Sequence, residues 1–185
     1  MNYNEPTISK ETIYNGKIID VEVHDVELQN GETSKRELVF HNGAVCVCAI
    51  TPEKRVLLVE QFRKPAEKTL LEIPAGKLEA GEERESAAKR ELEEETGYIA
   101  DHLKLITEMY GSPGFSSEKT SIYFADDLKE GEMHLDDDEF LEVKSYSIAE
   151  IKRMLQNNEL EDAKTIIALQ YLSLIHISEP TRLGM

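Results

Sequence analysis

The chain has 185 residues, 40 % hydrophobic and 31 % charged, which suits one soluble domain with a real core, alone or with a small appendage. Twenty-one basic against 37 acidic residues leave a formal charge of −16. So acidic a surface disfavours nucleic-acid backbones and anionic membranes and points to a small ligand; a phosphate compound would need cations from solution. No apolar run approaches the ~20 residues of a membrane-spanning helix, and the start MNYNEPTISKE has no apolar signal core. The chain reads as cytoplasmic.

Residues 16–28, GKIIDVEVHDVEL, alternate as a strand. Asn30-Gly31 then offers a hairpin turn, and SKRELVFH returns as the partner strand. This hairpin is poor in apolar mass, and two-stranded hairpins are marginal in water, so it must lean on something else. From Gly43 the pattern changes: GAVCVCAI and RVLLVEQF are apolar strands joined by a polar TPEK turn. Cys46 and Cys48 are the only cysteines, with no histidine close in sequence, and read as small apolar fillers rather than a metal pair. The five histidines form no ligand pattern.

An amphipathic helix is expected over residues 84–96, with Gly97 as its C′ residue. Further strands are expected at 103–110, 120–126 and 142–147, and Ser147 is placed to cap a helix over IAEIKRMLQNN. A last helix starts near Asp162 and runs through AKTIIALQYLSL. Strands alternating with a few helices imply a mixed α/β sandwich, and no internal repeat is visible. Three segments follow: an N-terminal β segment over 1–42, a main domain over 43–173, and a tail over 174–185. The end HISEPTRLGM resembles adapter- or vector-derived ends of truncated reading frames and is expected to be non-native.

The stretch RELEEETG, residues 90–97, crowds Glu91, Glu93, Glu94 and Glu95 at a helix C-terminus. Each carboxylate there is disfavoured by roughly 0.3–1 kcal/mol, because the last carbonyls carry partial negative charge. Glu91 and Glu95 stand four apart, where like charges repel further. At roughly 100° per residue, Ala87, Ala88 and Leu92 mark the apolar stripe. Glu91 and Glu95 fall inside that stripe, Glu94 lies at its edge, and only Glu93 points away. A solvated acidic face with Arg90 paired to Glu94 explains Glu93 and leaves Glu91 and Glu95 unexplained. Inward carboxylates at helical spacing suit a hard divalent cation, which would relieve both penalties.

Gly76, Glu82, Arg90-Glu91-Leu92, Glu94-Glu95 and Gly97-Tyr98 fill nine specified positions over 23 residues. In this the chain resembles the Nudix hydrolases, over roughly residues 43–173. The resemblance implies an α/β/α sandwich with a mixed sheet, built on a loop–helix–loop that holds divalent metal, Mg²⁺ or Mn²⁺. It implies Glu91 and Glu95 as metal ligands, Glu94 assisting, and the Ala75 carbonyl adding an oxygen. Arg90 would orient the glutamates and Glu82 would hold the loop, while Gly76 and Gly81 serve the site or only the backbone.

SPGFSSE places Pro113 fifteen residues beyond Tyr98, and with EQFR and LEIPAG it resembles the ADP-ribose pyrophosphatase branch of that family. The implied reaction is hydrolysis of ADP-ribose to AMP and ribose 5-phosphate. The implied base lies in the acidic loop LDDDEFLEV, with Glu139 favoured as base or further metal ligand and Asp137 and Glu142 as rivals. Arg63 follows an apolar strand and is placed for a phosphate or a surface ion pair. Arg36 and Glu37 match adenosine-contacting positions, and Glu72 and Glu118 match substrate or supporting ones. The branch further implies a homodimer that exchanges the N-terminal segment. A Nudix hydrolase of a nucleotide sugar or damaged nucleotide stays open, as does a non-catalytic nucleotide-sugar-binding domain, although such domains often lose the glutamates retained here.

Overall fold

The alternation read over residues 16–41 becomes two strands of a three-stranded antiparallel sheet. The computed structural model describes residues 3–137 and 139–177, and the chain divides into two compact units. The first comprises Met1–Ala44 with Met109–Thr120, the second Val45–Glu108 with Ser121–Met185.

In the first unit, β1 (Thr7–Asn15), β2 (Ile19–Glu27) and β3 (Thr33–His41) lie in the order β1-β2-β3. The expected hairpin is β2–β3. Gly31 supplies its turn with φ +81° and donates its N–H to the Leu28 carbonyl at 2.9 Å. β1 was not expected. Its TISKETIYN is exposed at every position, and polar cross-strand pairs hold it: Ser9 to Asp25 at 2.8 Å and Lys10 to Glu22 at 3.1 Å. The hairpin's missing support is therefore partly a third strand. Phe115–Ser117 also bonds along β3, with the Val39 N–H donating to the Phe115 carbonyl at 2.8 Å.

The remaining strands begin at Ala44 or later, and most of their residues belong to the second unit. They are β4 (Ala44–Ala49), β5 (Arg55–Arg63), β6 (Lys68–Glu72), β7 (Ala75–Lys77), β8 (Tyr98–Ala100), β9 (Lys104–Tyr110), β10 (Lys119–Ala125), β11 (Leu128–Glu130) and β12 (Leu141–Ser147). They form a β7-β4-β10-β9 sheet, a β12-β5-β6 sheet and a small β11-β8 pair. β6, β7, β8 and β11 were not expected; three to five residues give too little alternation to read. Three helices complete the unit: α1 (Arg84–Thr96), α2 (Ile148–Gln156) and α3 (Ala163–Ile177).

The core gathers Val45, Val47 and Ala49 of β4, Leu57 of β5, and Ala87, Ala88 and Leu92 of α1. The alanines let the helix axis approach the sheet. Fully buried Leu92 fills the gap between, so its truncation to alanine is worth roughly 2–5 kcal/mol. Cys46 and Cys48 are buried and unpaired, and burial pushes the Cys48 thiol up to about 12.

α1 occupies the expected residues and ends at Gly97, whose φ of +71° is the left-handed C′ conformation. Ser147 caps α2 in a reciprocal box with Glu150. α3 continues through Ile177. Asp138 of the acidic loop, and residues 178–185 of the tail expected over 174–185, lie outside the described residues.

Candidate active site

The C-terminal half of α1 turns two carboxylates toward β7. Glu95 is 1 % exposed, and its Oε2 accepts the Ala75 N–H at 2.8 Å. Burial raises its pKa to about 8; the Ala75 N–H opposes the shift, and the Glu139 and Glu91 charges add to it. Burial also raises the pKa of Glu91, Arg90 works against the shift, and Glu94 and Glu139 add to it. These three carboxylates repel one another in a partly dry space.

Glu91 lies directly over Gly76. A Cβ at that glycine would stand 1.8 Å from the Glu91 carboxyl carbon, so no side chain fits without moving the carboxylate. Gly81 meets nothing within 4 Å and has φ +81°, so it serves the backbone. The two glycines, alike in sequence, thus do different jobs.

Arg90 organises the outer rim. Its Nε and Nη2 donate to the two Glu82 oxygens at 3.0 and 3.1 Å, and its Nη1 reaches Glu91 at 2.9 Å and Glu94 at 2.8 Å. The fork shape of guanidinium permits this, whereas an ammonium would hold one partner well. Glu93, expected to point away, is half-buried beside Gly131. The reason is a chain segment that folds over the helix end. The His134 N–H donates to the Glu94 carbonyl at 3.0 Å, and the Gly131 N–H to the Gly97 carbonyl at 2.8 Å. These bonds satisfy carbonyls the helix leaves open and anchor the start of the acidic loop.

Of the three acidic candidates beyond that anchor, Glu139 is the one whose charge reaches Glu91 and Glu95. Its Oε1 also accepts from Gln61 at 3.4 Å. Asp137 is exposed, and Glu142 has a 72 % exposed side chain with Lys144 at 3.7 Å.

Arg63, at the end of β5, donates through Nε and Nη2 to both oxygens of buried Glu72, at 2.6 and 2.8 Å. Sequence reasoning offered a phosphate contact or a surface ion pair. The pair found here has one partner almost completely buried. Lys164 bonds the same Glu72 oxygen as Arg63 Nη2 and also reaches Asp162 at 3.0 Å. Sequence reasoning missed Lys164 and Asp162. The available signal was a lysine in the first turn of a helix, the unfavourable end for a cation.

The remaining candidates belong to the first unit. Arg36 forks onto Glu5 through Nε at 2.8 Å and Nη2 at 2.7 Å. Glu37 is exposed on the opposite face of β3, as strand alternation requires. Pro113 is exposed in a turn, and Glu118 lies 4.0 Å from His41.

Among the described residues, no three histidine, cysteine, aspartate or glutamate side chains stand close enough to form a ready-made metal cage. The donors present still fit a hard divalent cation: Glu95 is buried and Glu91 and Glu94 are partly so, and all three offer carboxylate oxygens, a set that Mg²⁺ or Mn²⁺ prefers. Arg90 at the rim is, among the described residues, the one cation bonded to Glu91 and Glu94. Among the described residues, no helix is long and apolar enough to cross a membrane.

A mixed α/β fold, with a helix that turns glutamates inward beneath a glycine it crowds, defines a hydrolase of the Nudix class. The NUDIX domain family matches residues 40–169, and the nucleoside diphosphate sugar hydrolase N-terminal domain matches residues 5–39. The chain belongs to the Nudix family, whose hydrolases generally use divalent metal ions. It is 52 % identical over 172 residues to the ADP-ribose pyrophosphatase of Bacillus subtilis (strain 168), covering 92 % of this chain and 93 % of that one. It is also 47 % identical to a methanol dehydrogenase activator of Bacillus methanolicus, covering 93 % and 94 %. A solved structure described as an ADP compounds hydrolase superposes with a TM-score of 0.84 at 25 % identity, covering 95 % of this chain and 96 % of that one.

Proposed function

We propose that the chain hydrolyses the pyrophosphate of ADP-ribose to AMP and ribose 5-phosphate in the cytoplasm. The observation that carries the reaction is the pair of inward carboxylates at the end of α1, Glu91 against Gly76 and Glu95 on the Ala75 N–H, with the Glu139 charge acting on both. The 52 % identity to a protein named ADP-ribose pyrophosphatase supports the substrate.

Glu91 and Glu95, with Glu94 and the Ala75 carbonyl, would hold Mg²⁺ or Mn²⁺. When bound, the metal neutralises pyrophosphate charge and acidifies a water. Glu139 takes the proton from the attacking water. The water oxygen then bonds to one phosphorus, the bridging P–O bond to that phosphorus breaks, and the bridging oxygen leaves on the other, so AMP and ribose 5-phosphate both end as phosphate monoesters. Arg90 holds Glu91 and Glu94 in place. Arg63 Nη1 makes no hydrogen bond among the described residues, and it is assigned to the pyrophosphate.

Arg36 and Glu37 are assigned to the adenosine half, with Pro113 and Glu118 as further substrate-binding positions and Glu72 supporting Arg63. Residues 1–42 serve as the substrate and dimerisation segment, and residues 43–173 as the catalytic domain. A homodimer is supported by exposed Ile8, Ile13 and Tyr14 on β1, a strand otherwise held by polar pairs. Nucleic acid and membrane are disfavoured as partners by the −16 charge. A nucleotide sugar is the second reading, favoured by the match of residues 5–39 to the nucleoside diphosphate sugar hydrolase N-terminal domain.

Incubating the purified protein and Mg²⁺ with ADP-ribose, a nucleotide sugar and ATP separates these readings. AMP with ribose 5-phosphate is the expected product pair, formed faster than products of the other two and abolished by excess chelator. Faster hydrolysis of the nucleotide sugar transfers the assignment to it. Faster release of inorganic pyrophosphate from ATP overturns both.

A further inference from the structure

Glu72 is an unusual carboxylate because two cations converge on it. It is 1 % exposed, accepts both arms of Arg63, and receives Lys164 on Oε2. One bidentate guanidinium already satisfies a carboxylate in geometry and charge. The second cation needs a reason.

Lys164 is also badly placed for local stability. It lies in the first turn of α3, where the helix dipole disfavours positive charge, and its side chain is 15 % exposed. Burial works against the ammonium, and Asp162 and Glu72 more than offset it, leaving its pKa above the ordinary lysine value. The helix does not need the lysine as a cap. Asp162 Oδ2 accepts the Thr165 N–H at 2.9 Å and the Thr165 hydroxyl at 2.6 Å, which is the capping arrangement. Buried ion pairs replaced by apolar groups are often neutral or better for stability, so retention of this one points elsewhere.

The neighbours of Lys164 indicate where. Thr165 is fully buried and its hydroxyl accepts the Ile73 N–H at 2.8 Å, tying α3 to the residue after Glu72. Lys164 therefore meets Glu72 in a fixed position. Glu72 ends β6 three residues before Ala75, whose N–H bonds Glu95, so the guanidinium that Glu72 holds lies beside the segment that carries a candidate metal ligand. Alone with Glu72, Arg63 would be a neutralised pair with little attraction for an anion. The four formal charges of Arg63, Glu72, Lys164 and Asp162 cancel, but the α3 N-terminus meets the Asp162 charge. That leaves Lys164 to neutralise Glu72.

We propose that Lys164 is a positioning residue for hydrolysis: by sharing the Glu72 carboxylate it leaves the Arg63 guanidinium, still oriented by Glu72, free to attract the substrate's pyrophosphate. The proposal rests on the reading of this site as a nucleoside diphosphate hydrolase.

The test is steady-state kinetics of the full chain with Mg²⁺ and ADP-ribose, on Lys164→Met, Lys164→Arg and the double variant Lys164→Met/Glu72→Gln, each checked by thermal melt. Lys164→Met should raise KM about tenfold, as loss of one charge-assisted hydrogen bond implies, with a smaller fall in kcat. Lys164→Arg should restore most of the loss. The double variant should bring KM back toward wild type, because Arg63 then faces an amide instead of an uncompensated carboxylate. A merely structural lysine makes the opposite demand: the double variant would be no better than the single one. That result, or an unchanged KM in folded Lys164→Met, overturns the proposal. If Lys164→Met does not fold, Lys164→Gln takes its place beside the double variant. If the wild type spares ADP-ribose but cleaves another nucleoside diphosphate derivative, the substrate reading alone fails and the same variants are read on that compound. A wild type that cleaves none removes both.

Discussion

Replacing Glu95 by glutamine isolates the energetic role of the buried carboxylate. The amide oxygen can keep the Ala75 N–H at the observed 2.8 Å, so the change removes a titrating charge and little else. Burial moves the Glu95 pKa from 4.5 to about 8. An acid whose folded pKa is raised binds more protons folded than unfolded. Its contribution is fully present below pH 4.5 and is lost as the pH rises to about 8. At about 1.4 kcal/mol per pH unit, the metal-free fold loses on the order of 3 kcal/mol between pH 4.5 and 7, and roughly 1 more by pH 8. At ~2–4 °C per kcal/mol for a chain this size, Glu95→Gln should melt roughly 6–12 °C above wild type at pH 7. The assay is a series of thermal melts in excess chelator from pH 4 to 8.5. The two curves should meet near pH 4 and separate steadily upward, since every other titrating group is common to both. With metal and substrate present, turnover should vanish in the same variant. A glutamine variant that melts at or below wild type at pH 8 would refute the reasoning, because the carboxylate would then be holding the fold together.

Three further outcomes follow from the site. Gly76→Ala should abolish turnover and leave the melting temperature within a few degrees of wild type, since the added Cβ displaces only the far end of Glu91; a collapsed melt would mean the backbone itself needs the glycine. Glu139→Gln should lower kcat by about 10² or more with little change in KM, as removal of a general base does; a larger loss in Asp137→Asn or Glu142→Gln would move the base to that residue. Arg36→Ala and Glu95→Gln, each nearly inactive alone, should recover about a quarter of wild-type activity when co-refolded, by counting sites in a two-fold dimer that shares Arg36 across subunits. No recovery in proven mixed dimers would return Arg36 to its own chain's site or to neither.

What the sequence allowed to be read depended on whether the governing contact was local. Helix α1 was legible at both ends because its stripe, its C′ glycine and its misplaced glutamates lie within 14 residues. Glu91 and Glu95 stood out there because they occupy positions an apolar residue would fill. β1 was not legible: none of TISKETIYN is buried in this chain, so no alternation of burial stamps the sequence. Glu93 was misread because the segment around Gly131 covers it, a contact no helical wheel contains. Gly76 and Gly81 could not be told apart until the position of the Glu91 carboxylate was known. Lys164 and Glu72 are 92 residues apart, and their meeting depends on where α3 docks.

The charges that matter most here are those that local rules disfavour. Glu91 and Glu95 sit at the negative end of α1, and Lys164 sits at the positive end of α3. Glu95 is also buried, and Glu91 and Lys164 are partly buried, which compounds the penalty. Stability comes from elsewhere, from Leu92 and the alanines that share α1 with the glutamates and from the capping of α3 by Asp162. That division lets one helix carry both roles: its apolar residues fix the backbone, and the fixed backbone holds carboxylates together against their repulsion. A loose helix would let Glu91 and Glu95 swing into water, where their pKa values would relax and their pull on a cation would weaken. A divalent cation bound between these carboxylates would relieve their mutual repulsion. Metal affinity and metal-free instability should accordingly change together in any variant that alters burial at the end of α1.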